Sequence, residues 1–382
     1  MKCIACASSD VENLGGVGRK EISITSDTKL CNLSARIYHC NNCGHLQKSH
    51  SPEEKKAIER LYELYEPHHL SDGNEPLVYV ESGDPVPRSF YVLQKCLPWI
   101  KKEKGVLLDI GTGNGNVLRS AQKLFNGWNL KAFDIADTYK NEILTLPNVS
   151  QFYSGDIYGI DDRFDVVTMW HSLEHITDLP RALCHIKKLI AASGILIIQV
   201  PDIIRNPFDL CVIDHCSHFS LDTLKQVLEM SGFHIAANGC DWIYNCLTLV
   251  AIPEPHPRLK SHALPGNSLK PILNYLNEIL NIFDKETDGK SFLIFGTGNA
   301  SICVYSQLAQ KPDYFIDEDP RKNGKKIDGV MITPPGKISP GTLVVLPFFE
   351  DDSRRLIAKL TDMNNLNPFE YKFIDIKSID RS

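Results

Sequence analysis

The chain has 382 residues, 43% hydrophobic and 23% charged, with a formal net charge of −6. That length fits two or three globular units, and the mild acidity argues against nucleic acid or an anionic membrane surface as partner. No apolar run reaches the ~18 residues of a membrane span, and Met1-Lys2-Cys3-Ile4-Ala5-Cys6 lacks the shape of a secretory leader. A reduced, cytoplasmic setting is therefore expected, in which the 12 cysteines serve as metal ligands or as small apolar residues.

The first motif is a pair of knuckles, Cys3-x-x-Cys6 and Cys40-x-x-Cys43. Four thiolates at this spacing suit one tetrahedral zinc. The alternation in Glu21-Ile22-Ser23-Ile24 and Ala35-Arg36-Ile37-Tyr38-His39 predicts strands that bring the knuckles together. Four thiolates close the metal shell, so the zinc is expected to be structural. Residues 51–66 then read as a helix, with Ser51 as cap, Pro52 in the first turn and Glu53 and Glu54 beside the positive helix end. A polar, turn-rich connection runs from Pro67 to Pro87, and Arg88 to Trp99 reads as a second helix.

Val106-Leu107-Leu108 is a short apolar run that ends in Asp109-Ile110-Gly111-Thr112-Gly113-Asn114-Gly115. Apolar residues at helical spacing follow, from Asn116 to Leu124. This is a strand, a tight glycine turn and a helix. The glycines allow a sharp turn and close approach of a ligand. The spacing is not the dinucleotide fingerprint G-x-G-x-x-G. It resembles instead the first motif of Rossmann-like S-adenosylmethionine (SAM) methyltransferases, which implies that Asp109, Gly111, Gly113 and Gly115 face the cofactor. Leu130 to Asp134 is the next strand, and its terminal acid suits the ribose hydroxyls. Phe152 to Ile157 is the third, with Asp156 placed for the adenine amino group and Ile157 for the ring. Arg163 to Trp170 is a buried strand of parallel-sheet character. His171-Ser172-Leu173-Glu174-His175-Ile176 follows it and resembles the segment that lies along the cofactor in such enzymes. A helix from Asp178 to Ile190 and a strand from Gly194 to Pro201 complete the alternation, which predicts a doubly wound parallel sheet.

Residues 201–220 form a loop-rich insertion beyond a strand's carboxyl end, where open α/β sheets place substrates. Ser220 caps a helix to Met230, and Cys246 to Ile252 is a last strand. Pro253-Glu254-Pro255-His256-Pro257 reads as a linker. A second strand, glycine turn and helix follows at Phe292-Leu293-Ile294-Phe295-Gly296-Thr297-Gly298-Asn299-Ala300. Tyr314 to Pro320 is a further strand ending in acids, and Leu343 to Pro347 is a third. The expected class is α/β: a Rossmann-like methyltransferase domain (67–252) between a zinc-binding module (1–66) and a smaller Rossmann-like α/β domain (253–382).

The order of these modules, with Asp214-His215-x-Ser217-x-Phe219-Ser220 and Asp317-x-Asp319-Pro320, resembles the SAM-dependent sugar C-methyltransferases of deoxysugar pathways. The resemblance implies a nucleotide-linked keto-sugar substrate and methylation at carbon through an enolate. An imidazole titrating near neutrality suits removal of the proton α to a ketone. His215 is the expected base, oriented by Asp214, with His218 and His171 as further candidates. An O- or N-methyltransferase on a sugar or other small metabolite is the alternative reading of the same fold.

Overall fold

The computed structural model describes residues 1–34, 36–78, 84–254, 269–338, 341–364 and 370–374. At its centre lies a seven-stranded sheet: β1 (Val106–Ile110), β2 (Asn129–Asp134), β3 (Val149–Ser154), β4 (Phe164–Trp170), β5 (Ile190–Pro201), β6 (Phe233–Asn238) and β7 (Cys246–Pro253), in the order 3-2-1-4-5-7-6. β1 pairs in parallel with β2 and with β4, and β4 with β5, while β7 runs antiparallel to both β5 and β6. β1, β4 and most of β5 are buried, as a sheet covered on both faces requires. The strand order reverses between β1 and β4, so the crevice for a ligand opens at their carboxyl ends. β6 was not expected from the sequence. Its burial is intermittent and it sits at the sheet edge, so it lacks the continuous apolar run that marks the inner strands.

The predicted helices form with the expected caps. Ser51 and Glu54 make a capping box on Pro52–Glu63, and Ser220 with Thr223 does the same on Leu221–Met230. Each cap satisfies amide donors that the first helical turn leaves free. The Arg88–Trp99 prediction resolves into an α-helix, Arg88–Cys96, and one tight turn, Leu97–Trp99.

Strands Val11–Gly16, Arg36–Cys40 and Leu46–Lys48 form a sheet that carries both cysteine knuckles. Its fourth strand is Ser217–His218, from the insertion after β5, paired antiparallel with Leu46–Gln47. The insertion is therefore more ordered than a loop: Pro207–Cys211 forms a 3-10 turn, and Ile213 N–H donates to the Ile24 carbonyl at 2.7 Å. Cys3, Cys40 and Cys43 pack in one core with Leu108, Ile110, Phe219 and Leu224.

The C-terminal unit is a six-stranded sheet in the order Lys326–Ile327, Val330–Thr333, Tyr314–Ile316, Phe292–Phe295, Leu343–Phe349, Glu370–Ile374. Its apolar residues, among them Phe283, Phe292 and Phe315, share a core with Ile24 and Leu46 of the N-terminal module and with Phe208, Leu210 and Ile213 of the insertion. Cys211 and Cys303 are joined by a disulfide, S–S 1.98 Å. This corrects the expectation that every cysteine outside the knuckles is a free, small apolar residue. Of the predicted linker, Pro255 to Pro257 lies outside the described residues.

Candidate active site

The glycine turn sits at the carboxyl end of β1. Gly111, Gly113 and Gly115 all have positive φ, at 73°, 50° and 85°, which glycine adopts without the clash a Cβ would bring. A Cβ on Gly111 would lie 2.5 Å from that of Ser172, so the turn after β4 closes directly over the turn after β1. Gly113 N–H donates to Asp134 Oδ2 at 2.8 Å, which ties the end of β2 to the same turn. Burial pushes the Asp134 carboxyl up from its usual range.

Asp109 is fully buried. Thr168 donates to its Oδ1 at 2.6 Å, and Oδ2 has no partner. Burial pushes this carboxyl up to about 6. Asp156 is exposed; it caps the turn Ile157–Gly159 by accepting from Tyr158 N–H at 3.0 Å. Ile157 packs at the edge of the core beneath the sheet. Ile135, directly after Asp134, is 70% exposed and offers uncovered apolar surface at the same edge. Nothing in the sequence marks it, because a lone apolar residue after a strand carries no periodic signal.

The second half of the site is built from imidazoles. His171 follows β4 with φ 48°, a conformation that costs a non-glycine residue about 1–3 kcal/mol. Its Nδ1 lies 3.3 Å from Glu174 Oε1 and its Nε2 3.8 Å from the Cys246 thiol. Burial alone would lower its pKa, but the Cys246 and Glu174 contacts outweigh that and hold it at about 9. His175 and His215 meet edge to face, ring centres 4.7 Å apart. Nδ1 of His175 donates to the Asp214 carbonyl at 3.0 Å and lies 2.7 Å from the Tyr62 hydroxyl.

The acid that orients His215 is Asp209. His215 Nδ1 donates to Asp209 Oδ1 at 2.7 Å, and His218 Nδ1 to Oδ2 at 2.6 Å. This corrects the expected pairing with Asp214. Asp214 turns the other way and accepts from Ser26 N–H at 2.9 Å and from the Ser26 hydroxyl at 2.6 Å. Side chains adjacent in a turn diverge, so neighbours in sequence are poor partners in space. Burial would raise the Asp209 carboxyl, but the two imidazoles hold it well below the usual range. For His215, burial is outweighed by the Asp209 charge, and its pKa is raised. His218 is instead lowered to about 4, by burial and by the nearby Lys48. Lys48 is itself buried and brought down to about 8 by that burial. Its ammonium donates to the Val212 and His215 carbonyls.

The structure thus joins His171, His175, His215 and His218 through Glu174, Asp209 and Asp214 into one buried network, next to the glycine turn through Ser172. Asp209, Lys48 and Tyr62 were missed because no local motif marks them; Glu174 and His175 stood in a segment already singled out. In the N-terminal sheet, Cys3, Cys6, Cys40 and Cys43 place four sulfurs within 4.8 Å of one another, with the pairs Cys3–Cys43 and Cys6–Cys40 each at 3.6 Å. Four convergent thiols fit a tetrahedral zinc.

Residues 90–238 match a family model described as a methyltransferase domain. No curated protein matches the sequence. Similar solved structures include a SAM-dependent methyltransferase of Clostridium acetobutylicum ATCC 824, 13% identical over 52% of this chain and 99% of that one, TM-score 0.39. The PH0226 protein of Pyrococcus horikoshii OT3 is 16% identical over 44% of this chain and 90% of its own, TM-score 0.37. The magnesium protoporphyrin IX methyltransferase of Synechocystis PCC 6803, solved with SAH, is 18% identical over 44% and 84%, TM-score 0.34. The segment that holds the glycine turn and the imidazole network matches a methyltransferase domain, which marks the protein as an enzyme.

Proposed function

We propose that this enzyme methylates the carbon α to the keto group of a nucleotide-linked deoxysugar. The observation that carries the reading is the buried Asp209 carboxylate holding His215 against His175 of the turn at the carboxyl end of β4. The glycine turn, Asp109, Asp134 and Asp156 bind and orient the cofactor, with Ile157 against the adenine. SAM supplies an electrophilic methyl group on a sulfonium. Attack by carbon needs an enolate, and therefore a base. Asp209 fixes His215 in the tautomer whose Nε2 has a free lone pair. That nitrogen takes the α-proton, and the C–H pair becomes the nucleophile. Positioning of donor and acceptor supplies the rest of the acceleration. His218 shares the Asp209 carboxylate and keeps it in place. Zinc on Cys3, Cys6, Cys40 and Cys43 holds the N-terminal sheet that Ser217–His218 completes. The order of modules resembles that of enzymes with nucleotide-linked substrates, and that resemblance supports a role for the C-terminal α/β unit in holding the substrate nucleotide or in assembly.

The test is the position of the new methyl group. Candidate nucleotide-linked keto-sugars are incubated with SAM and the product is read by carbon and proton NMR. A carbon-bound methyl, with His215-dependent exchange of the α-proton in deuterated water, is expected. A methyl on oxygen or nitrogen, without carbon exchange, would replace this reading with the heteroatom alternative and leave SAM dependence standing.

A further inference from the structure

The turn after β4 holds donor atoms that proton abstraction does not use. Glu174 is fully enclosed. Its Oε1 meets His171 at 3.3 Å, while Oε2 is buried with no hydrogen-bond partner. An unsatisfied buried polar atom is destabilising, more so when it is charged, and calls for a physical explanation. One donor atom each of Glu174, His175 and His215 lies within 4.8 Å of the other two. Nδ1 of His215 is held by the Asp209 carboxylate at 2.7 Å, and Nδ1 of His175 lies between the Asp214 carbonyl at 3.0 Å and the Tyr62 hydroxyl at 2.7 Å. An imidazole that donates its Nδ1 proton in this way presents Nε2 as a lone pair. The same support stands behind most metal-bound histidines, because it fixes ring orientation and raises basicity.

We infer that Glu174, His175 and His215 form a divalent-cation site, separate from the four-thiol cluster. Two imidazoles and one carboxylate suit Zn²⁺ or Fe²⁺. They do not suit Ca²⁺ or Mg²⁺, which favour oxygen ligands. Three protein ligands leave a position open for an oxygen of substrate or solvent. One consequence rests on the function proposed above. A cation on His215 Nε2 takes the lone pair that would accept the α-proton, so cation occupancy and proton abstraction exclude each other. The site would then act as a brake on enolate formation, set by the free concentration of the cation.

The experiment is a Co²⁺ titration of the full chain with its thiol cluster already filled with zinc. Cobalt on thiolates gives intense charge-transfer absorption in the near ultraviolet. Cobalt on imidazole and carboxylate gives only weak visible bands. The expected result is a second equivalent bound with visible bands and no thiolate signature. Glu174→Gln and His175→Gln should each weaken that equivalent at least about tenfold, the lower bound for losing even a supporting partner. Circular dichroism and the zinc content of the thiol cluster check that both variants fold. Binding of no second equivalent by the wild-type chain would overturn the site. So would a second equivalent that neither substitution weakens. Substrate α-proton exchange, followed along the same titration, should fall as the second equivalent binds. Exchange that persists at full occupancy would remove His215 as the base while the cation site stands on its own spectrum.

Discussion

The two halves of the candidate site are built on opposite plans. The proposed cofactor edge is local: Asp109, the three glycines and the helix that follows are contiguous, and Asp134 closes on them from the neighbouring strand through one hydrogen bond. The imidazole network is assembled from afar. Its 209–218 segment is held by Ile24, Ser26, His45 and Lys48 of the N-terminal module, and by a disulfide to Cys303 of the C-terminal unit. Cofactor binding and chemistry should therefore respond to different perturbations.

The largest separation is expected from the thiol cluster. Apparent binding free energies of structural zinc run to about 10–16 kcal/mol, so Cys40→Ser together with Cys43→Ser should unfold the N-terminal sheet and release Ser217–His218. Methyl transfer should be lost while SAM still binds, as isothermal calorimetry beside an activity assay would show. Equal loss of both would mean that the cofactor edge also depends on the module. Next, His215→Asn should lower turnover by about 10²–10⁴, the usual worth of a general base, with SAM affinity unchanged. A rate within tenfold of wild type would move the base elsewhere in the network.

Asp134→Ala tests the other half. Losing its hydrogen bonds to the ribose should cost roughly 1–3 kcal/mol of SAM affinity without altering the pH profile of the chemical step. The smallest effect concerns Asp109. Its raised value near 6 means that folding favours the protonated form, so that contribution to stability is present at low pH and fades as pH rises through 6. The cationic sulfonium favours the ionised form instead. SAM affinity should therefore decline as pH falls below about 6, by roughly tenfold for one unit of pKa displacement. Asp109→Asn should bind weakly at all pH values; a variant that keeps the wild-type profile would detach Asp109 from the cofactor.

The same contrast explains what the sequence made legible. β1, the glycine turn, the helix after it and both cysteine knuckles were readable because the residues that act together are neighbours, and their spacing is the geometry. The role of Asp209 was not readable. Nothing in Asn206-Pro207-Phe208-Asp209-Leu210 marks an acid that bridges two imidazoles, since His215 and His218 reach it only after the chain has turned through Val212 and back. Asp214 neighbours His215 in sequence, but its partner, Ser26, lies 188 residues away. Lys48 reads as a solvated surface residue, yet it is enclosed where two carbonyls of the insertion converge on it.

The strand pairing between Leu46–Gln47 and Ser217–His218 also has a consequence for how the molecule is made. His45 and Ser217, which meet at 3.2 Å, are 172 residues apart. A ribosome adds about 5–20 residues per second, so roughly 10–35 s pass between the emergence of the edge strand and that of its partner. During this interval the nascent sheet presents unpaired amides and carbonyls, the kind of edge to which other chains add strands. The N-terminal module thus leaves the ribosome first and is finished late, and translation speed through the methyltransferase segment sets how long that edge stays open.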